Sequence, residues 1–147
     1  MERRLVRKVV GYVVRDGQLL VFTHDEFPLE FTGVQVPAGT IEQGEAPEAA
    51  VVREVLEETG LVVRITGALG VERYDVWPSK PEIHERHFFQ LAPLEEGLPE
   101  RWTAGEGDPS DGGEAQQWTC HWVPLEQGHV LCAGFGARLG EIVLEES

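Results

Sequence analysis

The stretch from Pro47 to Gly60 constrains the chain more than any other. Its apolar residues Ala49, Ala50, Val52, Val55, Leu56 and Thr59 recur at helical spacing, which predicts a helix over Pro47–Thr59 with this set facing a core. Pro47 suits a first helical turn, where its missing N–H leaves no bond unmade. Glu48 favours the same end through the helix dipole, and Gly60 supplies the left-handed residue that closes it. The opposite side carries Glu54, Glu57 and Glu58 at i, i+3 and i+4, so three carboxylates project within one turn of each other. A helix this lopsided needs a sheet or a second helix to cover its apolar face.

The rest of the chain offers the sheet. Lys8–Arg15 and Gln18–Thr23 read as strands joined by the two-residue turn Asp16-Gly17. Phe31–Val36 reads as a short strand, Leu61–Ile65, Ala68–Val76, His84–Leu91 and Gln116–Val123 as further strands. The run Gly97–Glu114, rich in Gly and acids, is expected to be a long polar loop bordering the substrate entrance. His129–Val143 has apolar residues at helical spacing, weakened by Gly134, Gly136 and Gly140. Two helices and about seven short strands predict an α+β layered fold, and 147 residues fit a single domain spanning 1–147.

Charge narrows the function. Asp and Glu number 26 against 12 Lys and Arg, a formal net charge of −14. A nucleic-acid polymer or an anionic membrane needs a basic footprint, and only Arg3, Arg4, Arg7 and Lys8 cluster. The apolar run Val9–Val14 is too short to cross a bilayer, and no secretory signal is expected. With two cysteines, Cys120 and Cys132, the expected compartment is a reducing cytoplasm. An anionic small molecule remains compatible with this charge if metal ions neutralise its site. The three helical glutamates allow two readings. One is a solvated acidic face; the other is a set of hard oxygen ligands for Mg²⁺ or Mn²⁺. Arg53 lies four residues before Glu57 and can brace one of these acids, and the Gly-punctuated loop before the helix bears Glu45.

Taken together, Gly39, Glu45, Arg53, Glu54, Val55, Glu57, Glu58, Gly60 and Leu61 meet every fixed position of the signature of the Nudix hydrolases, which the chain resembles. The resemblance implies a Nudix-type α/β/α sandwich around a mixed β-sheet and hydrolysis of a nucleoside diphosphate linked to another group. It implies Mg²⁺, with Mn²⁺ as a possible substitute, held by Glu54, Glu57, Glu58 and the backbone carbonyl at or near Gly39. Arg53 would orient a neighbouring glutamate, Glu45 would join the same network, and Glu54 or Glu57 could take the proton from water. Some relatives use a distant loop acid as base, for which Glu106, Asp108, Asp111 and Glu114 are candidates. A catalytically idle nucleotide-binding or regulatory module is the alternative, and an isomerase-type relative a third.

Substrate choice lies outside this signature. Phe27, Phe31, Tyr74, Trp77, Phe88, Trp102 and Trp118 are candidates for stacking on a base, each balanced against a place in the core, and His84 and His87 are candidates for touching phosphate. Val36-Pro37-Ala38-Gly39 is similar to versions in sugar-nucleotide pyrophosphatases such as ADP-ribose hydrolases. The expected partner is a small nucleotide, acting on a monomer or homodimer.

Overall fold

The computed structural model describes residues 2–24, 35–106, 116–125 and 142. The strands are β1 (Arg4–Arg15), β2 (Gln18–His24), β3 (Ala38–Thr40), β4 (Val63–Asp75), β5 (Glu82–Pro93), β6 (Arg101–Glu106) and β7 (Gln116–Pro124). The helix α1 is Pro47–Thr59. The strands form one mixed sheet in the order β4-β5-β1-β2-β7-β6, with β3 pairing beside β1. The pairing of β1 with β5 is parallel and every other pairing is antiparallel. This is the expected α+β class.

Strand β1 is central because its sequence is apolar on both faces. Val9 and Val13 join the core beneath α1, while Val10 and Tyr12 join a second core on the other face of the sheet. A strand buried on both sides reads as a continuous apolar run rather than an alternating one, as Val9–Val14 does. Ile142, from the C-terminal segment, packs against the second core. The helix expected over His129–Val143 otherwise lies outside the described residues, as do Phe27, Phe31, Asp108, Asp111, Glu114 and Cys132.

Local chemistry sets the turns. Asp16 and Gly17 both have positive φ, 52° and 75°, the combination that lets two strands twist together across a two-residue loop. Gly60 closes α1 at φ 80° and donates its N–H to the Leu56 carbonyl at 2.9 Å. At Gly11 the helix comes so near the sheet that a Cβ would lie 3.0 Å from Leu91, 3.1 Å from Val51 and 3.3 Å from Val55.

Four expectations are corrected. The core stripe of α1 is Ala50, Val51, Val55 and Thr59; Leu56 is 49% exposed, and Ala49 is exposed too. The helix is rotated toward its Val51 edge because Gly11 admits Val51 and Val55 against β1. Secondly, Arg101–Glu106 is a strand within the expected polar loop. Its backbone pairs with Gln116–His121, and Trp102 packs against the core beneath α1. Thirdly, Ala38–Thr40 is a strand held by Lys8–Val10, where glycine and proline predicted only a punctuated loop. Lastly, the two strands expected at Leu61–Ile65 and Ala68–Val76 are replaced by one, β4 (Val63–Asp75), whose register shifts near Gly67 let it stay paired with β5. Among the described residues, no helix is long and apolar enough to cross a membrane.

Val55 has no exposed surface and touches the point where α1 meets β1. Val55→Ala is expected to cost roughly 2 kcal/mol through lost burial and the cavity left behind. That corresponds to a fall in melting temperature of about 4–8 °C for a domain of this size, measurable by calorimetry.

Candidate active site

The signature residues converge where α1 faces β3 and the loop between them. Arg53 is the hub. Its Nε and Nη2 donate to the two carboxylate oxygens of Glu45 at 2.8 and 2.9 Å, a forked pair. Nη1 donates to Glu54 at 2.9 Å and Glu57 at 3.2 Å, and Nη2 also donates to the Thr40 carbonyl at 3.1 Å. The Glu42 N–H donates to Glu45 at 3.0 Å. One guanidinium therefore ties the helix to the loop and to the end of β3. These bonds hold the Glu45 carboxyl down at about 2, with Arg53 the larger cause and the Glu42 N–H the next.

Glu54 and Glu58 turn toward β3. Both side chains are largely buried, unlike that of Glu57, which is half exposed. The Ala38 N–H donates to Glu58 at 2.9 Å. Gly39 has a steric role: a Cβ there would overlap the Glu54 carboxylate, so only glycine lets the backbone of β3 lie against that acid. Glu54 and Glu58 thus flank the Ala38-Gly39 backbone instead of standing in solvent opposite the core stripe.

Burial pushes Glu58 well above the ordinary carboxylate range, the Glu54 charge adds to this, and the Ala38 N–H works against it. Glu54 is raised as well, first by burial, with Arg53 opposing. Among the described residues, no group of three or more acids, histidines or cysteines is gathered closely enough to enclose a metal ion. The donor set nevertheless suits a hard divalent cation: carboxylates with raised proton affinity beside a glycine backbone. Mg²⁺ commonly keeps several waters and takes only one or two carboxylates, so a closed cage is not required.

The other expected site residues are distributed as follows. Trp102 donates its Nε1–H to the Thr59 carbonyl at 2.9 Å and lies near Trp122, so it braces the end of α1. Trp77 is 44% exposed beneath the Arg3 guanidinium. His87 meets Glu85 at 3.0 Å. None of the three has a contact with the Arg53 cluster among those described. Glu106 ends β6, and nothing is described of its side chain or that of Trp118. Sequence reasoning left out Lys8 and Arg86, which line a cavity of about 210 Å³ together with Gly39, Glu58 and His84. Their signal is non-local: Lys8 stands opposite Arg86 in the parallel β1/β5 register.

The chain matches the NUDIX domain over residues 5–142 and belongs to that family. It is 34% identical over 112 residues to an RNA pyrophosphohydrolase of Dinoroseobacter shibae, covering 76% of this chain and 59% of that protein. It is 41% identical over 64 residues to an ADP-ribose pyrophosphatase of Methanocaldococcus jannaschii, covering 43% of this chain and 37% of that protein. The matched region therefore spans less than two thirds of either relative. In fold it resembles the MutT NUDIX hydrolase of Burkholderia pseudomallei, with a TM-score of 0.66, 19% identity, and coverage of 96% of this chain and all of that one.

A carboxyl whose proton affinity is raised by folding binds more protons folded than unfolded between its two pKa values. Stability then falls as pH rises through that window. Glu45, held at about 2, contributes stability at neutral pH that is lost only as pH falls toward that value. In chelator-treated protein, the melting temperature is expected to decline as pH rises above the ordinary carboxylate range, and Glu58→Gln to flatten that decline. Differential scanning calorimetry at fixed ionic strength checks both; a parallel decline in Glu58→Gln would assign the effect elsewhere.

Proposed function

We propose that this protein hydrolyses a pyrophosphate bond in a nucleoside diphosphate linked to another moiety: a sugar nucleotide, a dinucleotide or a nucleoside triphosphate. The observation that carries this reading is the intact Arg53 network. A module that had lost catalysis would have no need to keep a guanidinium orienting Glu45, Glu54 and Glu57 around a glycine that fits against Glu54. The names of the relatives, an RNA pyrophosphohydrolase and an ADP-ribose pyrophosphatase, support the same bond type.

Glu54, Glu57 and Glu58, with the Gly39 backbone, would hold Mg²⁺ or Mn²⁺. Such an ion, when bound, offsets phosphate charge and lowers the pKa of a water. The protein's own part is positional. Arg53 fixes the rotamers of Glu54 and Glu57, the Ala38 N–H orients Glu58, and the burial of Glu54 and Glu58 strengthens electrostatic interactions that water would weaken. Glu54 or Glu57 is positioned to accept the proton of an attacking water, and Arg53 steadies whichever acts.

An RNA 5′ end is the second reading, favoured by the relative from Dinoroseobacter shibae. The net charge of −14 weighs against a long polyanion and for a free nucleotide. Sugar nucleotides, dinucleotides, nucleoside triphosphates and a triphosphorylated RNA assayed with Mg²⁺ and Mn²⁺, with products separated by chromatography, test this directly. Glu57→Gln and Glu58→Gln are each expected to lose on the order of 100-fold or more in turnover, the scale of removing a principal electrostatic contributor. Unchanged turnover in both at saturating Mg²⁺ would remove these acids from the mechanism.

A further inference from the structure

The cavity beside Gly39 and Glu58 is unusual in an acidic protein because cations line it. Lys8 and Arg86 face each other across the β1/β5 pair, and His84 lies two residues before Arg86 on the same face of β5. Arg86 is only 7% exposed, and its guanidinium sits 4.7 Å from the centre of the Tyr74 ring. Lys8 donates to the Thr40 hydroxyl at 3.0 Å, tying it to the strand that carries Gly39. The His84 Nε2 meets Glu82 at 2.9 Å, while its Nδ1 is buried without a hydrogen-bond partner. A carboxylate only accepts, so Nε2 is the donor, and the unpartnered Nδ1 donates to a phosphate oxygen when the ring carries its second proton. Val10, Phe22 and Val36 supply apolar walls that strengthen charge interactions.

Resting on the function proposed above, we infer that Lys8, His84 and Arg86 hold a third phosphate, and that the substrate is therefore a triphosphate. The volume of about 210 Å³ is below the ~300 Å³ at which sites for whole drug-sized ligands begin, and it suits a single small group such as one phosphate. Because Glu58 and Gly39 form part of the wall, that group must be continuous with the diphosphate placed at the acids. The neutral hydroxyls of a sugar nucleotide can accept bonds from Lys and Arg but offset none of their charge. A phosphate does, and charge-assisted bonds to Lys and Arg are its usual recognition. Burial and repulsion from Lys80 and Arg86 lower the Lys8 pKa, in keeping with positive groups crowded together at one place.

Calorimetry with inorganic tripolyphosphate and pyrophosphate, each with Mg²⁺, tests the inference without requiring turnover. Tripolyphosphate is expected to bind at least tenfold tighter than pyrophosphate. Lys8→Gln and His84→Gln should each reduce that preference severalfold or more, and Lys8→Arg should restore it, with circular dichroism verifying the fold of each. Equal affinity of the wild-type protein for the two probes would overturn the inference, and so would a preference that survives both substitutions in folded protein. Failure to hydrolyse anything would sink the proposed function but leave this binding result to stand or fall by itself. In turnover, GTP and a 5′-triphosphorylated RNA hexamer distinguish the two sources of a triphosphate, and faster hydrolysis of either than of ADP-ribose supports the inference. ADP-ribose hydrolysed with a higher kcat/KM than both would contradict it.

Discussion

The site depends on a single guanidinium. Arg53 reaches Glu45 on the loop, Glu54 and Glu57 on its own helix, and the Thr40 carbonyl at the end of β3. A lysine could not replace it, because three separate directions are used at once and an ammonium lacks the planar fork that grips both oxygens of Glu45. The bonds to Glu45 and Glu54 are part-buried and so less open to the screening that weakens surface ion pairs, while the one to Glu57 is exposed. Without the guanidinium, three acids would repel one another across a helix end and a loop that have no other described cation between them. The loop 41–46 would lose its main anchor to the helix in the same stroke.

Steric fit supplies the second constraint. Arg53 orients Glu54, but Gly39 decides where the Glu54 carboxylate can rest, since any side chain at that position would occupy its space. Gly11 does the same for the body of the helix, admitting Val51 and Val55 close against β1. Two glycines far apart in the chain thus set the depth of α1 and the placement of one of its acids. The Thr59 hydroxyl bonds to the Val55 carbonyl and accepts from the Leu61 N–H, and Trp102 caps the Thr59 carbonyl, so the far end of the helix is fastened as well.

Those features explain what could be read in the sequence and what could not. The span of α1, its Gly60 terminus and the Asp16-Gly17 turn depend on neighbours along the chain, so periodicity and turn chemistry locate them. The acids and Arg53 share one helix and are legible for the same reason. The rotation of that helix was not, because whether Val51 or Leu56 is buried depends on a glycine in another strand. Strands β3 and β6 are short and contain glycine; their pairing partners lie about thirty residues upstream and fifteen downstream, and no local signal marks them. Lys8 and Arg86 meet through a parallel pairing across most of the chain. His84 was legible as a phosphate candidate, yet its companions were not.

Charge in the cluster finally links stability to the proposed activity. Arg53 offsets one of the four negative charges that Glu45, Glu54, Glu57 and Glu58 would carry if all were ionised. Burial first, and the remaining repulsion after it, raises the proton affinity of Glu54 and Glu58, the two acids that lie deepest. A proton and a divalent cation are therefore alternative ways to neutralise the same place, and they compete. Relaxing Glu58 outward would ease the repulsion, but it would give up the Ala38 N–H and separate the acid from the cavity where Lys8 and Arg86 lie. The fold instead keeps a carboxylate where its charge is costly. That placement is intelligible if the cost falls on the empty protein and is removed when a cation and a polyphosphate arrive together.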